Sequence, residues 1–331
     1  MNVYGVGYMD TANIIDTIVR ANEIQLKFIK KEGKNSYNYE VKQGIIDNST
    51  VKYLKDKFSL LIEEFRNLNF NDYNIGSYNK TSDAFNLNIN EIPNFTTIYN
   101  SINDESIDSI NFKQLNEFTA NFFAIKFLYK TKDINKEIII FNRQNPSTGL
   151  TKKANIFWNG ERFIISQDSF SLRMDIDCFY DSETQTMYII NRKYFEDIFN
   201  FKDFYSQKAK ECLNKIEAQN ILTNNSAFKH ICLNDSNIIF RLAKIELSND
   251  LIDFNTHISE IKSIIKEDEL NIYFTGNNKI QIDDNTSKET IKNILSLIND
   301  EYLTSRITKK NYVASTKQLS LLQKLYSTII K

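Results

Sequence analysis

Four acidic side chains, Asp175, Asp177, Asp181 and Glu183, fall within nine positions of the stretch MDIDCFYDSETQTMYIINRKYFEDIF. Carboxylates at that density supply the oxygen ligands that Mg²⁺ or Mn²⁺ takes in nucleotidyl transferases and nucleases. That chemistry also asks for a Gly-Ser helix start a short way upstream, and none precedes this stretch. The alternation with Met174, Ile176, Cys178 and Tyr180 supports a plainer assignment. Asp175 and Asp177 form the solvent face of a half-buried strand, and Asp181 and Glu183 belong to the DSETQ turn that leads into TMYIINR. No metal or other cofactor is expected here.

Glu40 and Lys42 in YEVKQ match the E-x-K half of a restriction-type nuclease core. The other half is an upstream acid on a neighbouring strand, for which Asp10 and Asp16 are the candidates; an exposed strand face is the favoured reading. His230 and His257 are the only histidines, too few for catalysis by several imidazoles, and neither sits in a ligand pattern. Gly5-x-Gly7 lacks the third glycine and the lysine of a phosphate loop, and no G-x-S-x-G elbow exists. Cys178, Cys212 and Cys232 are odd in number and widely spaced, which fits a reducing cytoplasm rather than a disulfide framework or a zinc site.

The basic residues make a stronger pattern. Net charge is −1, yet from Tyr302 to Lys331 there are six basic side chains, Arg306, Lys309, Lys310, Lys317, Lys324 and Lys331, and no acid. Lys317, Lys324 and Lys331 recur every seven residues, about two helical turns, while Leu319, Leu322, Leu325, Tyr326 and Ile329 form an opposite apolar stripe. Arg306, Lys309 and Lys310, with Tyr302 and Tyr312 nearby, could supply phosphate contacts and stacking surfaces. A second basic set, Arg143, Lys152, Lys153, Arg162, Arg173, Arg192 and Lys193, is interleaved with acids, so only folding could make it a groove. The expected nucleic-acid-binding set is Arg306, Lys309, Lys310, Lys317 and Lys324, with Arg192 and Lys193.

The elements that must position these residues follow from periodicity. Asp10 to Ile24 has helical spacing, IQLKFIKKEGKNSYNYEVK reads as two strands, and Leu54, Phe58, Leu61, Ile62, Phe65 and Leu68 mark an amphipathic helix with Asn48, Ser49 and Thr50 as candidate caps. The runs FTANFFAIKFLYK and KEIIIFNR read as strands, and Asn159-Gly160 suits a type I′ turn in the hairpin IFWNGERFIIS. A helix follows with the stripe Tyr205, Ala209, Cys212, Leu213 and Ile216. More helices are expected around 225–233, 238–245, 255–266, 288–299 and 316–330, with a short hairpin at NIYFTGNNKIQI. At 331 residues, 41% apolar and 13% aromatic, the chain is globular and long enough for two units. The expected class is α+β: an N-terminal α+β unit over residues 1–116, then a mostly antiparallel sheet with C-terminal helices over residues 117–331. The N-terminus has no secretory pattern and no apolar run approaches the roughly 20 residues of a membrane span.

The stretch MYIINRKYFEDIFNFKDFYSQKAKECLNKI resembles the Kiwa anti-phage defence family, specifically its KwaB-like proteins. The likeness lies in two short strands with an acidic turn, then N-R-x-Y-F-E-x-I-F, then a helix holding Ala209 and Ile216. It continues to NDEYLTSRITKKNYVASTKQ, with Ser305, Ile307, Tyr312 and Ser315 in the expected context, and covers the last two-thirds of the chain. The resemblance implies a cytosolic, DNA-binding subunit that works with a KwaA-like integral membrane protein and interferes with phage DNA replication or transcription. It implies no enzyme; the alternatives are a metal-dependent nuclease or a protein-interaction scaffold. A homo-oligomer is expected because two-fold assemblies are common.

Overall fold

The structure, a computed structural model, describes residues 9–33, 38–73, 84–110, 118–144, 155–158, 163–166, 172–249, 251–304 and 311–313. The chain forms two compact units that divide between Phe201 and Lys202. The division expected at 116/117 does not coincide with this one, because strands on either side of residue 116 pair in one sheet.

The first unit contains α1 (Thr11–Arg20), β1 (Glu23–Glu32), β2 (Asn38–Gly44), α2 (Asn48–Glu64), β3 (Phe70–Asp72), β4 (Ala84–Asn88), α3 (Phe95–Ile102) and β5 (Ser109–Ile110). It continues with β6 (Phe122–Lys130), β7 (Asn135–Arg143), β8 (Asn155–Trp158), β9 (Phe163–Ser166), β10 (Cys178–Asp181), β11 (Thr186–Ile189) and α4 (Arg192–Ile198). Nine strands join in the order β3-β4-β11-β10-β7-β6-β1-β2-β5. The six inner pairings are antiparallel, and the short edge strands β3 and β5 pair parallel. β8 and β9 form the separate hairpin that the sequence predicted, and its turn lies outside the described residues.

Directly paired residues share a face of a sheet, which sorts the core. The register Leu26↔Ile125↔Ile140 and Phe28↔Phe123 places an apolar row on one face, where Ile14 and Ile18 of α1 and Leu54, Phe58 and Ile62 of α2 pack with it. Phe58 meets Phe127 edge-on with ring centroids 6.0 Å apart. The other face carries Phe141, Cys178 and Tyr180; Phe95 and Tyr99 of α3 meet Tyr180, and Phe199 beyond α4 meets Phe141. Both faces are thus covered by helices, so the middle strands read as near-continuous apolar runs. The cap of α2 is Asp47, whose carboxylate accepts the Thr50 N–H at 2.7 Å, rather than the three residues that follow it.

The second unit holds α5 (Phe201–Ala218), α6 (Asn225–Leu233), α7 (Ser236–Ser248), α8 (Ile258–Glu267), α9 (Lys288–Ile298) and the pair β12 (Tyr302–Thr304) and β13 (Asn311–Val313). Its core gathers Ala209, Cys212, Leu213 and Ile216 of α5 with Phe228, Leu242 and Phe254 and the buried face of α9. Burial pushes the Cys212 and Cys232 thiols up to about 12. Arg241 on α7 donates to the Lys292 carbonyl at 2.9 Å and to Ser296 and Glu301, which ties α7 to α9 and to the chain entering β12.

Candidate functional site

The sequence after β11 turns directly into α4, and the turn is organised by one buried carboxylate. Asp177 precedes β10, and its carbonyl accepts the N–H groups of Ile190 at 2.9 Å and Asn191 at 2.8 Å. Asn191 then caps α4, its side chain accepting the Tyr194 N–H at 3.2 Å. The Asp177 carboxylate accepts the Arg143 N–H at 2.8 Å, where β7 ends, and pairs with the Arg173 guanidinium. Its own N–H donates to Asn142 Oδ1 at 3.1 Å. Burial pushes the Asp177 carboxyl up to about 6, outweighing the opposing pull of the Arg143 N–H and of Arg173. The expectation that Asp177 faces solvent is therefore corrected: with only 1% of its surface exposed, it is an internal joint between β7, β10 and α4.

Above this joint Tyr194 is flanked by two guanidinium groups, Arg173 at 4.8 Å and Arg143 at 5.4 Å from its ring centroid. Each cation also meets an acid: Arg143 reaches Asp197 at 2.5 Å, and Arg173 reaches Asp175 at 2.6 Å besides Asp177. One turn away Arg192 pairs with Glu196 at 2.7 Å and lies 5.1 Å from the Tyr73 ring centroid, while the Tyr73 hydroxyl donates to Glu196 at 2.7 Å. Guanidinium planes against aromatic rings, each cation also paired with an acid, tie the ends of β7 and β10 to α4. Lys193 is exposed on that helix. Periodicity missed Tyr194 and Asp197, although the Arg192–Glu196 spacing of four is a readable helical ion-pair signal.

The four acids do not gather into one site. Asp181 is the buried last residue of β10 rather than the turn residue expected, its carboxylate accepting the Glu183 N–H at 3.0 Å and the Thr184 hydroxyl at 3.0 Å, while Glu183 lies in the turn and pairs with Lys136 at 2.7 Å. Among the described residues no group of three or more His, Cys, Asp or Glu could hold a metal ion. Asp10 caps α1 and Asp16 pairs with Arg20, while Glu40 lies 3.6 Å from Lys42 and 3.9 Å from Lys30. His230 contacts Asn234, and His257 is the N-cap residue of α8. Arg306, Lys309, Lys310, Lys317 and Lys324 lie outside the described residues, as do Lys152, Lys153 and Arg162.

Among the described residues no helix is long and apolar enough to cross a membrane. No curated protein and no solved structure shows significant similarity to the chain. A family model described as Kiwa protein KwaB-like matches residues 119–308, which include Arg143, Arg173, Asp177 and Tyr194 and most of the second unit. That match spans more than half of the 331 residues, and it agrees with the resemblance carried by N-R-x-Y-F-E-x-I-F. The chain belongs to the Kiwa protein KwaB-like family.

Proposed function

We propose that this protein is the DNA-binding subunit of a Kiwa anti-phage defence complex. It works in the cytoplasm beside a KwaA-like integral membrane protein, self-associates, and interferes with phage DNA replication or transcription. Family membership supports a role in Kiwa defence alongside other Kiwa proteins. The observation that carries the DNA reading is the acid-free segment from Tyr302 to Lys331 with its six basic side chains. A polyanion releases condensed counterions where such cations meet its phosphates, which gives affinity without sequence preference and does not require a basic protein overall.

In this reading Arg306, Lys309 and Lys310 grip the backbone first. Lys317 and Lys324 extend the contact, and Arg192 and Lys193 belong to the same binding function. The test is a gel-shift series with several unrelated duplexes. The Arg306→Ala/Lys309→Ala/Lys310→Ala variant is expected to bind all of them more weakly, by similar factors. Unchanged affinity in that variant would contradict the choice of residues. Magnesium-dependent plasmid cleavage abolished by Glu40→Ala would contradict the non-enzymatic reading.

A further inference from the structure

The last acid before the cationic run is buried. Glu301 directly precedes β12 with only 9% of its side chain exposed, and no Asp or Glu follows it as far as Lys331. One oxygen of its carboxylate accepts from the Arg241 guanidinium, and the other accepts from the Asn299 side-chain amide at 2.7 Å. The Glu301 N–H donates to the Ser296 carbonyl at 2.9 Å. Arg241 also donates to the Lys292 carbonyl at 2.9 Å and to the Ser296 hydroxyl. One planar fork from α7 thus serves a carbonyl and a hydroxyl of α9 together with the carboxylate beyond it, a geometry that a single ammonium does not reproduce.

What this pair holds is a ribbon that burial alone secures poorly. β12 and β13 pair through Tyr302↔Val313, Leu303↔Tyr312 and Thr304↔Asn311, and they form a sheet of their own. A lone two-stranded hairpin is marginal in water. Leu303 and Val313 are exposed, so they add little apolar burial. Among the described residues, the ribbon is fastened at its base, where Tyr302 packs against the helical core and Glu301 makes its bonds one residue earlier.

The stretch between the two strands is SRITKK, residues 305–310, which carries Arg306, Lys309 and Lys310. The Thr304↔Asn311 pairing holds the residues that flank it one strand spacing apart, about 5 Å. A segment whose ends are already fixed loses less conformational freedom on meeting a partner. Pairing with Arg241 also neutralises the carboxylate that directly precedes the run, a charge that would otherwise repel phosphates.

We propose that Arg241 and Glu301 are positioning residues for DNA binding. Their buried pair anchors the β12–β13 ribbon, and so preorganises the span with Arg306, Lys309 and Lys310, without touching DNA itself. This inference rests on the reading that those three cations grip phosphates.

The experiment combines hydrogen exchange by mass spectrometry with duplex affinity by fluorescence anisotropy, on the full chain and on its Glu301→Gln and Arg241→Lys variants. Either substitution keeps the size of the side chain while breaking the match of fork to carboxylate. Amide exchange in β12 and β13 is expected to rise at least about tenfold, with α5 and α6 exchanging as in the wild type, which shows that the fold is kept. Affinity for every duplex is expected to fall about fivefold at fixed salt, because the span must now be ordered on binding. The slope of affinity against salt stays the same, since the same phosphates are contacted; loss of a contacting cation would lower it. Unchanged exchange in the ribbon, unchanged affinity in a folded variant, or a reduced salt slope overturns the positioning role while leaving the DNA reading intact. A wild-type chain that binds no duplex overturns the DNA reading, and the positioning role with it.

Discussion

Asp177 carries a pH dependence whose sign follows from its burial. Burial holds its folded carboxyl up at about 6, above the ordinary 3.8, so the native state takes up a proton first as pH falls. This group therefore adds stability as pH drops from about 7 toward 4, and removes it as pH rises through the folded value. A shift of about two units corresponds to roughly 2 to 3 kcal/mol at most. Denaturant midpoints at pH 7.5 and pH 5 should show the dependence in the wild type and a flatter profile in Asp177→Asn. Equal profiles would show that Asp177 stays ionised through this range.

A second residue-scale test concerns the opposite face of the sheet, where cations outnumber acids in the interior. Lys126 and Glu137 pair at 2.9 Å with side chains only 9% exposed, and the Tyr99 hydroxyl donates to the same carboxylate. Lys27 is buried nearby and donates to Gln43 at 2.7 Å; burial and the charge of Lys126 lower its pKa. Removing one partner of such a pair strands a buried charge. Glu137→Ala is expected to cost about 3 to 5 kcal/mol in urea unfolding, and Lys126→Met/Glu137→Leu to recover most of it. A loss below about 1 kcal/mol for Glu137→Ala would mean that water reaches Lys126.

At the scale of elements, α2 shows how the burial pattern divides one helix. Phe58 is fully buried and Leu60 is 64% exposed. Phe58→Ala is expected to destabilise by about 3 to 5 kcal/mol and Leu60→Ala by less than about 0.5 kcal/mol, both measurable by chemical denaturation. The stripe Leu54, Phe58 and Ile62 was legible because one face of α2 is dry and the other wet. The same holds for Tyr205, Ala209, Cys212, Leu213 and Ile216 on α5, whereas β6 was legible as a continuous apolar run because both of its faces are buried. Asp177 was misread for the converse reason: alternation signals a wet face only where a face is wet. β10 lies between β7 and β11, and its four residues are all buried. The lattice around Tyr194 was also out of reach, because Arg143, Arg173 and Tyr194 come from separate stretches of the chain. The Tyr194 ring and the Asp177 carboxylate each meet both Arg143 and Arg173.

At the scale of the whole molecule, the α+β class and the helices around 225–233, 238–245, 255–266 and 288–299 were readable from periodicity, the helix expected at 316–330 lies outside the described residues, and the division of the chain was not readable. A polar stretch such as NSINDESIDSINFKQ suggests a boundary, yet β1 pairs with β6 over seven residue pairs across it. Long-range strand pairing leaves no local composition signal, so the stretch reads as a linker although the sheet continues beyond it. Charge distribution is the reverse case, for it is fully visible in the sequence. The acid-free run from Tyr302 to Lys331 belongs to a second unit whose other ion pairs include Lys215–Glu246, Lys229–Glu217 and Lys288–Asp235. Positive charge concentrated in this run is what an electrostatic grip on DNA requires.

The most direct measurement is the affinity of the full-length chain for a short duplex by fluorescence anisotropy, from about 50 to 200 mM salt. If the protein holds DNA through phosphates, the logarithm of affinity falls linearly with the logarithm of salt concentration, by about 0.9 for each phosphate neutralised. The Arg306→Ala/Lys309→Ala/Lys310→Ala variant then loses close to three contacts' worth of slope on every sequence. A salt-independent affinity, or an unchanged slope in the variant, would contradict the account.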